Sequence, residues 1–222
     1  MEAPDLLKKM EHDWDERARE NARYYIVNSH EDWSDEDFYR GGEQTVANEI
    51  LTDMTNICQG KDPKQMKALD IACGAGRVTR ALAGVFGEAH GVAVSGEMIR
   101  LARAECSDRS NAFFYQNNGM DLSVLGDREF DFAFCTCVFH HIPSREVIEN
   151  YVREVGRLLR PGGLFKLEVQ GYTEMDSRPD DTWYGAAFSD EQAIEMAGRC
   201  GFEARYRVGV GQEQFWLWFF KK

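Results

Sequence analysis

Lys67-Ala68-Leu69-Asp70-Ile71-Ala72-Cys73-Gly74-Ala75-Gly76-Arg77 decides how this chain folds. A short apolar run ends in two glycines separated by one residue, and a helical pattern follows. The stretch reads as a buried strand that turns abruptly into a helix. Gly74 and Gly76 let the backbone turn tightly and let a ligand approach it, and the first amides of the next helix point at that ligand. The outline is a small-molecule cofactor site, with a glycine spacing shared by several nucleotide-binding classes. Asp70 is the charged residue of the strand. A buried carboxylate must be paired or hydrogen-bonded, so it either braces the turn by holding loop amides or accepts from a ligand ammonium.

Downstream of this stretch, strands and helices alternate. The pattern predicts strands at Ala68 to Ala72, His90 to Val94, Ala112 to Gln116, Phe130 to Thr136 and Leu164 to Val169. Helices are expected at Arg77 to Val85, Gly96 to Cys106 and Arg145 to Leu159, with Pro161-Gly162-Gly163 as the turn into the fifth strand. Such alternation indicates an α/β fold, a parallel sheet covered by helices on both faces. A polar stretch from Gly171 to Ala187 follows, containing Trp183 and Tyr184, and loops of that length are usually functional or disordered. The chain closes with a helix from Ser189 to Cys200, then Glu203 to Val208 and Phe215 to Phe220, which read as an antiparallel hairpin around Gly209-Val210-Gly211.

Upstream, Leu7, Met10, Trp14, Ala18, Ala22, Tyr25 and Ile26 recur at the spacing of one amphipathic helix over residues 4 to 28. Its aromatic stripe is expected to pack on the domain. A polar break covers Asn28 to Asp35, and Ser34 with Asp37 signals the start of a second helix. Gly41-Gly42 within that helix implies either a kink or a close approach to another backbone. These readings divide the chain into an N-terminal helical cap, residues 1–60, packed on a main domain, residues 61–222.

At 222 residues the chain can bury a sizeable core without disulfides or metals. Its net charge of −12 argues against a nucleic-acid footprint and against anionic membranes as partners. Cys58, Cys73, Cys106, Cys135, Cys137 and Cys200 lie in apolar or helical patterns with no Cys-x-x-Cys, and read as reduced, small core residues. Residues 1–10 are charged and lack a leader's apolar core, and no apolar run nears membrane-spanning length. The expectation is a cytoplasmic protein.

Leu69 to Arg77 resembles the first motif of class I S-adenosylmethionine-dependent methyltransferases, and His90-Gly-Val-Ala-Val-Ser-Gly-Glu-Met98 resembles their second. Gln116-Asn-Asn-Gly-Met-Asp-Leu122, Phe130 to Pro143 and Leu159-Arg-Pro-Gly-Gly163 follow in the family's order. Trp14-Asp15, Phe38 and the Gly211-Gln-x-Gln-x-Trp216 ending are similar to a group of small bacterial methyltransferases of unassigned substrate. The resemblance implies a Rossmann-like, seven-stranded, mostly parallel sheet with an antiparallel C-terminal hairpin. It also implies S-adenosylmethionine as cofactor and S-adenosylhomocysteine as product.

Transferred residue by residue, the resemblance sets the methionine moiety against Asp70, Ala72, Cys73, Gly74 and Gly76. It sets the adenine between Met98 and Gly119-Met120, with Val94 and Cys135 completing the surroundings. Asn118 stands where the family often has an aspartate, and its side-chain oxygen can still accept from the adenine amino group. Ala93 stands where an acid usually grips the ribose hydroxyls, so another residue or water must take that role, or the cofactor is held weakly. A nicotinamide site would need a glycine at Thr79 and an acid at Ala93, and has neither.

The implied chemistry is in-line displacement from a sulfonium onto a small organic acceptor, in a pocket covered by the N-terminal helix and the 171–188 loop. Trp14, Tyr25 and Trp183, with Tyr24, Trp33 and Tyr184, would make that cover aromatic. His141, just past the fourth strand, is the candidate base, because imidazole titrates in the useful range. Cys135, Cys137, His140 and His141 have the residue types of a zinc site, but their placement on one buried strand and its exit favours packing, and no metal is assigned. The alternative function is a lapsed methyltransferase fold that binds a metabolite or protein partner.

Overall fold

The computed structural model describes residues 3–27, 31–174 and 182–222. The polar break and the long loop expected from the sequence therefore fall partly outside the described residues, at 28–30 and 175–181. The helices are α1 (Ala3–Ile26), α2 (Asp35–Glu49), α3 (Met54–Cys58), α4 (Arg77–Val85), α5 (Gly96–Glu105), α6 (Arg145–Leu158) and α7 (Asp190–Arg199). The strands are β1 (Lys67–Ile71), β2 (Glu88–Ala93), β3 (Ala112–Gln116), β4 (Phe130–Cys135), β5 (Leu159–Gln170), β6 (Phe202–Val208) and β7 (Gln214–Lys221). They form a seven-stranded sheet in the order β3-β2-β1-β4-β5-β7-β6.

Two compact units divide the chain, one of residues 10–118 and one of residues 1–9 with 119–222. In the first, β1, β2 and β3 pair in parallel, with Asp70 opposite Gly91 and Ala93 opposite Gln116. β1 and β2 are buried along almost their whole length, as expected of parallel strands covered on both faces, whereas the edge strand β3 buries Phe114 and leaves Phe113 and Gln116 exposed; Leu69, Val92, Leu82 and Phe86 are fully buried. Ser34 and Ser95 each cap a helix by accepting from the amide three residues on, Asp37 for α2 and Met98 for α5.

Two upstream expectations resolve physically. The Gly41-Gly42 pair serves close approach: a Cβ on Gly42 would lie 2.3 Å from the Arg77 carbonyl oxygen, so only a glycine lets α2 lie against the start of α4. The first helix is not continuous as expected, because Asn21 leaves helical geometry (φ −161°, ψ 83°). Its Oδ1 accepts from the Tyr24 amide at 3.1 Å, so the side chain recaps the last turn.

In the second unit β4 and β5 are parallel, and β7 runs antiparallel to both β5 and β6. Pro161-Gly162-Gly163 is not the turn before β5, as the sequence suggested, but lies within it. Phe130 pairs with Leu159 and Phe132 with Leu164, so the register shifts across this part of β5 and regular pairing then resumes. The helix α6 buries Val147, Ile148, Tyr151, Val152 and Val155 along one stripe, and Ser189 with Gln192 forms a reciprocal capping box at α7. Among the described residues, no helix is long and apolar enough to cross a membrane.

Candidate functional site

Several residues singled out in the sequence lie, within each unit, just past the carboxyl ends of strands, where open parallel sheets bind ligands; Trp14 and Tyr25 lie on α1 and Met98 in α5. In the unit of residues 10–118, β1 ends at Ile71 and the chain enters a turn with positive φ at Ala72 (55°), Gly74 (53°) and Gly76 (86°). For Ala72 this conformation costs on the order of 1 kcal/mol, a strain typical of functional turns. The turn is closed by the Gly76 amide donating to the Cys73 carbonyl at 2.9 Å, and Cys73 is tied to β2 through the Val92 carbonyl at 2.9 Å. A side chain at Gly74 would be strained by its positive φ, and its Cβ would press the Ile26 Cδ1, 2.8 Å away.

Asp70 lies beneath this turn and is buried. Thr79 Oγ1 donates to its Oδ2 at 2.6 Å. Burial pushes its carboxyl up to about 7, against the opposing pull of the Thr79 hydrogen bond and the Arg77 charge. Burial also drives the Cys73 thiol well above its ordinary value, so it is an unreactive packing group.

At the exit of β2, Ala93 is buried and offers no polar group. A carboxylate nevertheless stands beside this exit, supplied by α1. Asp15 Oδ1 accepts from Ser95 Oγ at 2.5 Å and from the Glu97 amide at 3.1 Å, while Oδ2 takes Arg19 at 3.1 Å. Gln116 at the end of β3 donates to the Val94 carbonyl and to Glu11 of the same helix, each at 3.1 Å. The sequence, although Trp14-Asp15 stood out in it, did not bring Asp15 to this exit, because Ser95 and Glu97 lie 80 and 82 residues away. Met98 is buried in a cluster with Ala18, Phe38 and Ala75, against which Trp14, Ile26 and Trp33 pack. Trp14 is thus part of a packed cluster and also carries Arg17 over its ring at 4.7 Å. Tyr25 is half-buried, edge-on to Tyr24, and donates its hydroxyl to Glu20 at 2.9 Å. Asn118 is exposed.

In the other unit, Gly119 is buried with φ 77°, and the Met120 carbonyl accepts from Asn150 Nδ2 at 2.6 Å. Cys135 is fully buried at the end of β4. Cys137 is exposed, contrary to its expected place in the core, because the chain leaves the sheet at Thr136 and turns with positive φ (57°) at Cys137. Beyond it a short 3₁₀ turn, Phe139–His141, holds the two histidines. His141 Nδ1 lies 2.7 Å from the Trp183 carbonyl, and the two rings are 4.8 Å apart. A carbonyl can only accept, so the imidazole proton resides on Nδ1 and Nε2 is the basic nitrogen. The segment carrying Trp183 is stitched down by the Ala186 amide to the Ile142 carbonyl at 2.9 Å and by the Phe188 amide to the Gln170 carbonyl at 2.7 Å. His140 points instead to β5, with Nδ1 3.3 Å from Glu168 Oε1.

Residues 68–163 match the family described as "Methyltransferase domain". A demethylmenaquinone methyltransferase of Staphylococcus carnosus is 33% identical over 104 residues, covering 46% of this chain and 42% of that protein. A putative methyltransferase of Bacillus subtilis is 27% identical over 146 residues, 60% of this chain and 58% of its own. The chain thus spans less than half the length of the first relative and less than two thirds of the second. Among solved structures, magnesium protoporphyrin IX methyltransferase of Synechocystis with bound SAM is similar with a TM-score of 0.69 at 15% identity, covering 98% of each chain. That likeness establishes the shared fold.

Proposed function

We propose that the chain, whose residues 68–163 match the family described as "Methyltransferase domain", transfers a methyl group from S-adenosylmethionine to a small organic acceptor. The observation that carries this reading is the strained turn from Ala72 to Gly76 above the buried Asp70. The residues present fit the cofactor's chemistry. The turn takes positive φ at Gly74 and Gly76, where glycine leaves the backbone open to a ligand, Asp70 is an acceptor suited to the ammonium of the methionine moiety, and Asp15 brings to the β2 exit the charge that Ala93 lacks.

When bound, the cofactor supplies a methyl group on a sulfonium, ready for displacement. The chain's own part is alignment, exclusion of water and, for a hydroxyl acceptor, removal of a proton. On this reading Asp70, Ala72, Cys73, Gly74 and Gly76 would hold the methionine end and Asp15 with Val94 and Ser95 the ribose, while Met98, Asn118, Gly119, Met120 and Cys135 are the residues the adenine would call on. His141 takes the acceptor proton on Nε2, and its Nδ1 bond to Trp183 fixes that tautomer. Trp14, Tyr25 and Trp183 serve the acceptor side. The acidic composition and this aromatic set favour a small molecule over nucleic acid.

A second reading, a fold that binds a metabolite or protein partner without transferring methyl groups, is favoured by Ala93 alone. Calorimetry with S-adenosylhomocysteine and with NAD separates the readings. Binding of the first only supports the methyltransferase, and binding of neither supports the lapsed fold. A co-crystal with the cofactor away from the Gly74–Gly76 turn would overturn the proposal.

A further inference from the structure

Three side chains of different chemistry meet where β4 leaves the sheet beside β5. Glu168, on β5, is fully buried. Thr136 Oγ1 donates to its Oε2 at 3.0 Å, but its Oε1 has no hydrogen-bond partner. The Nδ1 of His140 lies 3.3 Å from that oxygen and also lacks a hydrogen bond. Cys137 completes the group, with one ligand atom of each residue within 4.8 Å of the others. A carboxylate removed from water with one bare oxygen is costly, and at 3.3 Å the His140 Nδ1 makes no hydrogen bond that would relieve it. Both atoms lack the same thing, a positive charge between them.

We infer that Cys137 Sγ, His140 Nδ1 and Glu168 Oε1 bind a zinc ion. A thiolate, an imidazole and a carboxylate form a donor set suited to zinc, and three protein ligands leave a fourth position for water or an exchangeable ligand. The Thr136 hydroxyl on the other oxygen of Glu168 is the outer hydrogen bond that orients a ligating carboxylate. Cys137 is exposed and gives the ion a way in, while Glu168 anchors the site in the sheet. The sequence brought Cys137 and His140 together but could not include Glu168, which comes from the next strand. Cys135, in the body of β4, and His141, turned to the Trp183 carbonyl, are not needed.

The test uses the full chain, stripped with a chelator and titrated with zinc against a chromophoric competitor, without cofactor. One zinc per chain is expected. Cys137→Ser, a change at an exposed residue, is expected to weaken binding by more than about tenfold, the lower end of what losing even an outer partner costs. Glu168→Gln should do the same. Cobalt substitution should give a thiolate-to-metal charge-transfer band that Cys137→Ser abolishes. Failure of the native chain to retain zinc, or equal zinc binding by the native chain and Cys137→Ser, would leave His140 and Glu168 as a plain ion pair and overturn the inference. Since no cofactor is present, either result is independent of S-adenosylhomocysteine binding.

Discussion

Asp70 is the residue at which the cost of the site can be measured. Its carboxyl, raised from 3.8 to about 7 by burial, holds a proton more tightly in the folded chain than in the unfolded one. Its contribution to stability is therefore fully present below the unfolded value and is lost as pH rises through about 7. Urea denaturation across that range should show the native chain losing more stability than Asp70→Asn, which cannot titrate. Equal pH slopes for the two would place the titration elsewhere. Asp15 and Ala93 make a second pair of tests. Removing the Asp15 charge with Asn should weaken S-adenosylhomocysteine binding about tenfold or more, since hydrogen bonds to a charged group contribute about 1.5–3 kcal/mol. Ala93→Asp should tighten it if the ribose lacks a partner on β2, and calorimetry reading an unchanged dissociation constant would show that the ribose is already satisfied.

At the scale of elements, α2 and α4 show how closely the glycine turn is supported from behind. The Gly42 position faces the Arg77 carbonyl, and Arg77 Nη1 reaches back to Thr45 Oγ1 at 3.1 Å. Gly42→Ala should therefore push α2 off the start of α4 and destabilise the fold by about 1–3 kcal/mol, the usual cost of overpacking. Thermal denaturation would detect this, and an unchanged midpoint would mean that the helices part without cost. Elements were legible where local pattern and final packing agree. The helix Arg77–Val85 and the strand Ala112–Gln116 have the bounds the pattern suggests. They failed to be legible where tertiary pairing overrides composition. Pro161-Gly162-Gly163 has the composition of a turn, yet pairing on both sides of it with β4 draws it into β5. The break at Asn21 carries no glycine or proline to announce it, because the side chain itself supplies the lost hydrogen bond.

For the whole molecule, the ordered motifs from Leu69 to Gly163 made the sheet and the glycine turn readable, since each motif is contiguous in sequence. Asp15 and Glu168 were not, because each gains its role only from residues on another element. The charge of −12 is spread over a chain of 222 residues and leaves no basic excess to hold phosphates. The protein should pass through a DNA column at low salt without delay, and retention that falls with salt would reveal a basic face. The bond from Ser95 and the Glu97 amide to Asp15 also bears on how such chains diverge. If one negative charge near the end of β2 suffices, positions 15 and 93 should trade it. Relatives with an acid at 93 would be free to lose the one on the first helix, and those with a small residue at 93 would keep it, so the two columns of an alignment should covary across a gap of nearly eighty residues.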